Sequence, residues 1–303
     1  MESPLDTVVI DFDTNSLWVL NVSLAVIMFG VALNLTIDDF IRVFKNPKSP
    51  LLGMLSQFIV LPALTFCLVL IIEPAPSVAM GMMLVAACPG GNISNFISYM
   101  AGANTALSVS LTAISTVAAI VMTPFNLHFW ASLYEPTNTL LTEISIDHME
   151  VFKAIALLLG IPLVIGMFFR KIKPGLAQRI SKTLKPVSIL IFISIVLLAF
   201  AKNYQIFLDY FQYIIFIVFI HNAVALLCGY SIGRLNNLSL PDVKTLSIET
   251  GIQNSGLGLL LIFTFFNGMG GMSIIAAWWG IWHIVSGLVI AYFWAPSTSK
   301  QSV

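Results

Sequence analysis

Glu249 is the residue around which any chemistry in this chain has to be built. Of the 14 Asp and Glu residues it alone falls well inside an apolar run, and no Lys or Arg shares that depth. On insertion scales an Asp at mid-helix costs ~2.5–3.5 kcal/mol. The carboxylate is therefore either neutral and hydrogen-bonded to its neighbours or matched by a cation from solution. Its surroundings in the sequence favour the cation. Ser94 and Asn95 follow the pair Gly90-Gly91, and Ser108 and Thr112 stand four apart on one helical face. Ser115 and Thr116 extend that stripe. Hydroxyls and amides are hard oxygen donors of the kind that replace water around an alkali or alkaline-earth ion. One carboxylate among them gives a low charge density, which suits a monovalent ion better than Ca²⁺. A Ser/Thr stripe alone reads as glue between membrane helices. Beside an unpaired acid it reads as ligation.

Further amides, Gln57 and Gln253, also fall at membrane depth. Glycines at 90, 91, 251 and 256 allow backbone carbonyls to turn from the helix toward an ion. Pro62, Pro124 and Pro162 predict kinks. His283, between Trp282 and Ile284, reads as a hydrogen-bonded structural histidine or a ligand; His128 and His148 carry no signal. The odd cysteine count, Cys67, Cys88 and Cys228, has no spacing for a disulfide frame or a zinc site.

The elements that must carry these groups follow from composition. Hydrophobic residues make up 58% of the 303 and charged residues 9%, against about 25% charged in soluble domains. So little charge cannot clothe a water-facing surface. A soluble enzyme, a disordered hub and a nucleic-acid binder are excluded, and the net charge of zero offers no polyanion a basic patch. The chain reads as an all-α polytopic membrane protein.

A span needs about 20 mostly apolar residues, and nine stretches qualify: 16–35, 50–72, 78–100, 105–133, 151–169, 184–201, 211–232, 243–266 and 272–295. The charge pattern tests that count. Arg42, Lys45 and Lys48 follow the first stretch; Arg170, Lys171, Lys173, Arg179, Lys182 and Lys185 follow the fifth. Arg234 and Lys244 follow the seventh, and Lys300 follows the ninth. Only Lys153 and Lys202 fall on the other side, where Glu135, Glu143, Asp147 and Glu150 collect. Nine spans thus put the N-terminus (1–15) outside and the tail (296–303) in the cytoplasm. Residues 1–15 hold no Lys or Arg, so the first apolar run is expected to be a retained span rather than a signal peptide.

Two spans are interrupted at their centres, one by CPGGNISN at 88–95 and the other by ETGIQNSG at 249–256. They lie five spans apart and so cross the bilayer in opposite senses. Interrupted segments in inverted halves are the best sequence pointer to a secondary transporter's binding site. The halves are 16–133 (spans one to four) and 184–295 (spans six to nine), with 151–169 as the connecting span.

At these residues the chain resembles the bile acid:sodium symporter family over nearly its whole length. The resemblance is carried by 88–95 with the following 104–116, by IETGIQNSG at 248–256, and by Trp282-His283. It implies an inverted-repeat transporter with two broken crossing helices, a core domain of spans two, three, four, seven, eight and nine, and a flatter panel of the rest. It implies two Na⁺ sites: one from Ser94, Asn95, Ser108, Thr112 and Glu249, the other from Gln57, Glu249, Gln253 and the carbonyls of Thr250 and Ile252. The substrate cavity would lie near Asn92, Asn254 and His283. Asn92 stands where the family motif usually continues with Thr, and Ile284 where Asn often follows Trp-His. Both positions border the implied cavity and leave the sodium positions intact.

The expectation is a Na⁺-coupled symporter importing a small or amphipathic organic anion, a carboxylate or sulfonate, by alternating access of core against panel. It is not an enzyme: no GxSxG elbow accompanies Ser94, and His283 has no second deep acid to orient it. Na⁺ is the co-transported ion, with no cofactor and no obligate protein partner implied. The bilayer, most simply a bacterial inner membrane, is the other partner. Two rivals stay open on the residues: a proton-coupled carrier in which Glu249 titrates, and an anion-binding receptor that moves nothing.

Overall fold

In a bilayer each backbone N–H and C=O must be satisfied within the protein, so long apolar segments fold as helices. The structure, a computed structural model, describes residues 4–7, 22, 25–26, 28–30, 32–143, 148–202 and 204–295. Among them every regular element is helical, and strand-like pairing is confined to one antiparallel bridge, Gly90 with Gln253. Apart from the turn Pro4–Thr7, the N-terminal stretch 1–15 lies outside the described residues, as do half of the expected span 16–35 and the tail 296–303.

The chain runs through α1 (Ile37–Lys45), α2 (Lys48–Ile72), α3 (Pro76–Ala87), α4 (Ile93–Met100), α5 (Thr105–Leu133) and α6 (Glu135–Glu143). It continues through α7 (148–172), α8 (Pro174–Lys202), α9 (Tyr204–Leu235), α10 (Leu240–Gly251), α11 (Ser255–Phe265) and α12 (Gly270–Trp294). Four of these are long and apolar enough to cross a membrane by length and composition: α2, α5, the Gln212–Leu235 part of α9, and α12. The expected spans 78–100 and 243–266 are instead pairs of shorter helices, α3 with α4 and α10 with α11, each interrupted where the glycines and amides fall.

The kinks expected at the prolines take a more specific form. Pro62 and Pro162 each follow a π-turn, Ser56–Val60 in α2 and Ala156–Gly160 in α7. Proline has no N–H for the carbonyl four residues back and its ring crowds that carbonyl; a wider turn absorbs both defects. In α2 the turn brings Ser56 and Gln57 into the interior, where both are buried. Pro124 lies inside α5.

The interrupted helices are the innermost elements. Every residue from Ser77 to Ala87 of α3 is buried, as are Thr245 to Gly251 of α10 and Leu257 to Phe263 of α11. That burial lets polar, irregular backbone exist at membrane depth. α12 packs on α3 and α11, α9 on α10 and α12, and α5 on α3, while α7 meets this body through α5. α9 and α10 touch backbone to backbone at Gly229, where any Cβ would overlap the Leu246 carbonyl. Large apolar side chains point outward instead on the periphery, among them Val164, Phe168, Leu190 and Phe216.

Candidate functional site

The two interruptions face one another. Gly91 N–H donates to the Ile252 carbonyl at 2.7 Å, and Asn254 N–H donates to the Pro89 carbonyl at 2.9 Å. Only glycine permits this approach: a Cβ on Gly91 would sit 2.8 Å from the Gln253 carbonyl oxygen, and one on Gly90 2.7 Å from Glu249 Oε2. α4 and α11 both start here, with Asn92 and Asn254 at their N-cap positions. Asn254 Oδ1 accepts the Leu257 N–H at 3.1 Å, whereas the Asn92 side chain makes no capping bond.

Glu249 lies in the last turn of α10, 4% exposed. Ser94 Oγ donates to its Oε1 at 2.5 Å and Ser108 Oγ donates to the same oxygen. Thr112 Oγ1 lies 3.2 Å from Oε1 and 3.1 Å from Oε2. Asn95 Oδ1 closes the group, 2.8 Å from Ser108 Oγ and 3.4 Å from Thr112 Oγ1. The five residues therefore converge from α4, α5 and α10, giving three hydroxyls, an amide oxygen and a carboxylate. Lys244, one and a half turns away on α10, is committed elsewhere, donating to the Ala101 and Trp294 carbonyls at 3.0 and 2.8 Å. A buried carboxylate whose neighbours are neutral oxygens can balance its charge by holding a small cation. Hydroxyl, amide and carboxylate oxygens are hard donors, the type that suits a hard cation.

Ser115 and Thr116 do not extend this cluster. Both bond back to the Thr112 carbonyl, at 3.2 and 2.7 Å, within their own helix.

A second group sits on the other side of the break. Gln57 Nε2 donates to Gln253 Oε1 and to the Cys88 carbonyl, both at 2.8 Å, and Gln253 Nε2 donates to the Thr250 carbonyl at 2.7 Å. The Ile252 carbonyl, also expected here, is engaged by Gly91 N–H, which leaves one lone pair for another partner. Glu249 Oε1 takes the Ser94 and Ser108 hydroxyls, while Oε2 takes Thr112 and lies against Gly90, the bridge partner of Gln253.

The expected substrate residues are less closely gathered. Asn92 and Asn254 flank the meeting point, both partly exposed. His283 is on α12, 5% exposed, with Nδ1 buried and unpartnered, and no hydrogen bond joins it to either asparagine.

The structure adds residues that sequence reasoning does not single out. Ser56 Oγ is 2.8 Å from Thr250 Oγ1. Asn222 of α9 donates through Nδ2 to the Gly251 carbonyl at 2.8 Å and accepts from Ser286 Oγ at 2.7 Å. Thr123 Oγ1 donates to the Ala87 carbonyl at 2.7 Å, at the end of α3. A polar singleton in an apolar helix was the one available signal for each, and it does not say which backbone group is met.

Residues 21–210 match the sequence profile described as the Sodium Bile acid symporter family. The chain belongs to that family. A "Uncharacterized sodium-dependent transporter YocS" of Bacillus subtilis is 32% identical to this symporter-family chain over 282 residues, 93% of the chain and 84% of the relative. "Probable sodium/metabolite cotransporter BASS1, chloroplastic" of Arabidopsis thaliana is 29% identical over 280 residues, 92% of the chain and 67% of the relative. "P3 protein" of Bos taurus is 30% identical over 220 residues, 72% of the chain and 45% of the relative. This family member is a multi-pass membrane transporter of the sodium-dependent type and not an enzyme.

Proposed function

We propose that the chain is a two-sodium symporter for a small organic anion, a carboxylate or sulfonate, driven inward by the sodium gradient. The observation that supports it most is the setting of Glu249: a buried acid ringed by hydroxyl and amide oxygens in a family of sodium-dependent transporters. One Na⁺ is held by Ser94, Asn95, Ser108, Thr112 and Glu249, the second by Gln57, Glu249, Gln253 and the carbonyls of Thr250 and Ile252. For the first ion to bind, the Ser94, Ser108 and Thr112 hydroxyls rotate their protons away and present lone pairs.

The anion docks near Asn92, Asn254 and His283. It faces the N-termini of α4 and α11, whose dipoles are each worth ~0.3–1 kcal/mol and more when partly buried. The two cations behind the meeting point add to that field, so the anion is held best when both are bound. Two Na⁺ with one monoanion carry one net charge. A tenfold sodium gradient supplies about 1.4 kcal/mol per ion, and 100 mV adds about 2.3 kcal/mol. The sum, roughly 5 kcal/mol, sustains an anion gradient above 10³.

The architecture under this reading is nine spans in an inverted repeat. Helices α2–α5 and α9–α12 form the core, and the first span with α7 and α8 forms a panel against which the core shifts. The N-terminus lies outside and the C-terminus in the cytoplasm, in the cell membrane. The test is uptake into proteoliposomes across short carboxylates, sulfonates and steroid acids, in sodium and in choline buffer. At least one anion accumulates only with sodium outside; accumulation of the same anion in choline, or following ΔpH alone, contradicts the reading.

A further inference from the structure

A transporter that buries its ion must also let it reach water, and a ladder of polar side chains leads away from Glu249 toward one end of the molecule. On α10, Glu249, Thr245 and Asp242 lie on one face at successive turns. On α5 and its cap, Thr112, Ser108 and Asn104 do the same. On α4, Ser98 follows Ser94 by four residues. The ladders of α5 and α10 converge: Asn104 Nδ2 donates to Asp242 Oδ1 at 2.8 Å, and the Asn104 carbonyl accepts from Thr245 Oγ1 at 3.1 Å. Asp242 Oδ2 accepts from Ser49 Oγ of α2 at 2.8 Å. Asp242 is half-buried and lines a cavity of about 540 Å³ with Ser49, Asn104, Ser110 and the exposed Lys48.

Two features set this ladder apart from ordinary helix ties. Ser98 is 0% exposed, one turn from Ser94 on the same face, and its Oγ has no hydrogen-bond partner. An orphaned buried hydroxyl costs stability and calls for an explanation. Asp242 is the second feature. Ser239 caps the start of α10, and the Asp242 carboxylate, in the first turn of that helix, reaches across to Ser49 of α2 and to Asn104 at the cap of α5.

We propose that Asp242, with Ser49 and Asn104, forms a station on the cytoplasmic side from which Na⁺ passes to water, and that Thr245 and Ser98 line the ion's route to it from the Glu249 cluster. This rests on the sodium reading of Glu249 given above. Seven residues of helix separate the two acids, about 10 Å along the axis, so the station acts on the rate of passage and leaves the inner affinity nearly untouched. A carboxylate at the mouth of a cleft raises cation on-rates, and salt screens the effect.

The test is binding of radioactive sodium to the purified full chain, measured at equilibrium and as association and dissociation rates. Asp242→Asn should slow both rates by about tenfold at low ionic strength, with Kd unchanged and the difference shrinking as choline chloride is added. Ser98→Ala removes a hydroxyl that bonds to nothing, so it should leave thermal stability unchanged or raised and still slow both rates. Rates that match the unmodified protein in both variants overturn the route. A weaker Kd with faster dissociation in Asp242→Asn also overturns it, making that residue a brace of the inner site. Glu249→Ala separates the two readings: sodium binding that survives it sinks the inner site itself, whereas lost binding beside unmoved Asp242→Asn rates sinks the route alone.

Discussion

Replacing Gly90 with alanine isolates the carboxylate from the rest of the fold. The new methyl carbon would lie 2.7 Å from Glu249 Oε2, against 3.4 Å for the onset of ordinary contact. Gly90 is not among the positive-φ glycines, so the backbone itself accepts a side chain. The carboxylate has to retreat by about 0.7 Å, but Oε1 is held by Ser94 at 2.5 Å and by Ser108. Retreat pulls the carboxylate away from the Ser94, Ser108 and Thr112 oxygens with which, under the proposed reading, it shares the ion, and a contact to a charged group is worth about 1.5–3 kcal/mol. At 1.4 kcal/mol per decade, half-saturation by sodium should rise roughly 10- to 150-fold. The assay is sodium-dependent uptake at saturating anion, with the amount of folded protein fixed by size-exclusion chromatography. Gly258→Ala is the control. Its methyl would meet Cys88 Sγ at 3.7 Å and Ala276 Cβ at 4.0 Å, ordinary contacts, so sodium dependence should not move. Half-saturation in Gly90→Ala equal to that of the unmodified protein would refute the claim that Oε2 is part of an ion site.

Other consequences follow from the same geometry. Gln57→Ala removes the donor to Gln253 and the Cys88 carbonyl; it should reduce the sigmoidicity of uptake against sodium concentration while one-ion binding persists in a titration. Asn92→Thr should change which anion is taken, seen as a reordered competition series, with the sodium dependence unaltered. Asn222→Leu leaves the Gly251 carbonyl without its donor and Ser286 with the His283 carbonyl alone. Unpairing a buried polar group costs about 1–3 kcal/mol, so the melting temperature should fall, and Ser286→Ala in that background should add little further loss.

The sequence exposed the Glu249 cluster because its residues carry three independent signals. Glu249 is an acid at the wrong depth, Ser108 and Thr112 share a helical face, and Gly90-Gly91 marks a break. Each is a local pattern, and the fold brings them within bonding distance of one another. What stayed hidden depends on contacts between segments far apart in the chain. Pro62 announces a kink but not the π-turn that points Ser56 and Gln57 inward. Asn222 sits in an aromatic-rich helix where nothing local foretells its bond to Gly251. Ser115 and Thr116 misled in the other direction: at i+3 and i+4 from Thr112 they satisfy themselves on its carbonyl, a choice spacing alone cannot reveal. The spans read as 78–100 and 243–266 were legible as interrupted, because glycine and amide side chains in an apolar run have few other uses.

Equilibrium binding of radioactive sodium to the purified chain and to Glu249→Gln reaches the central claim most directly. The glutamine keeps an oxygen for Ser94 and Ser108 and removes only the charge. The unmodified protein should bind sodium saturably, unaffected by equal choline, and more tightly when a transported anion is present; the variant should show no saturable binding. Equal sodium binding by Glu249→Gln contradicts the account.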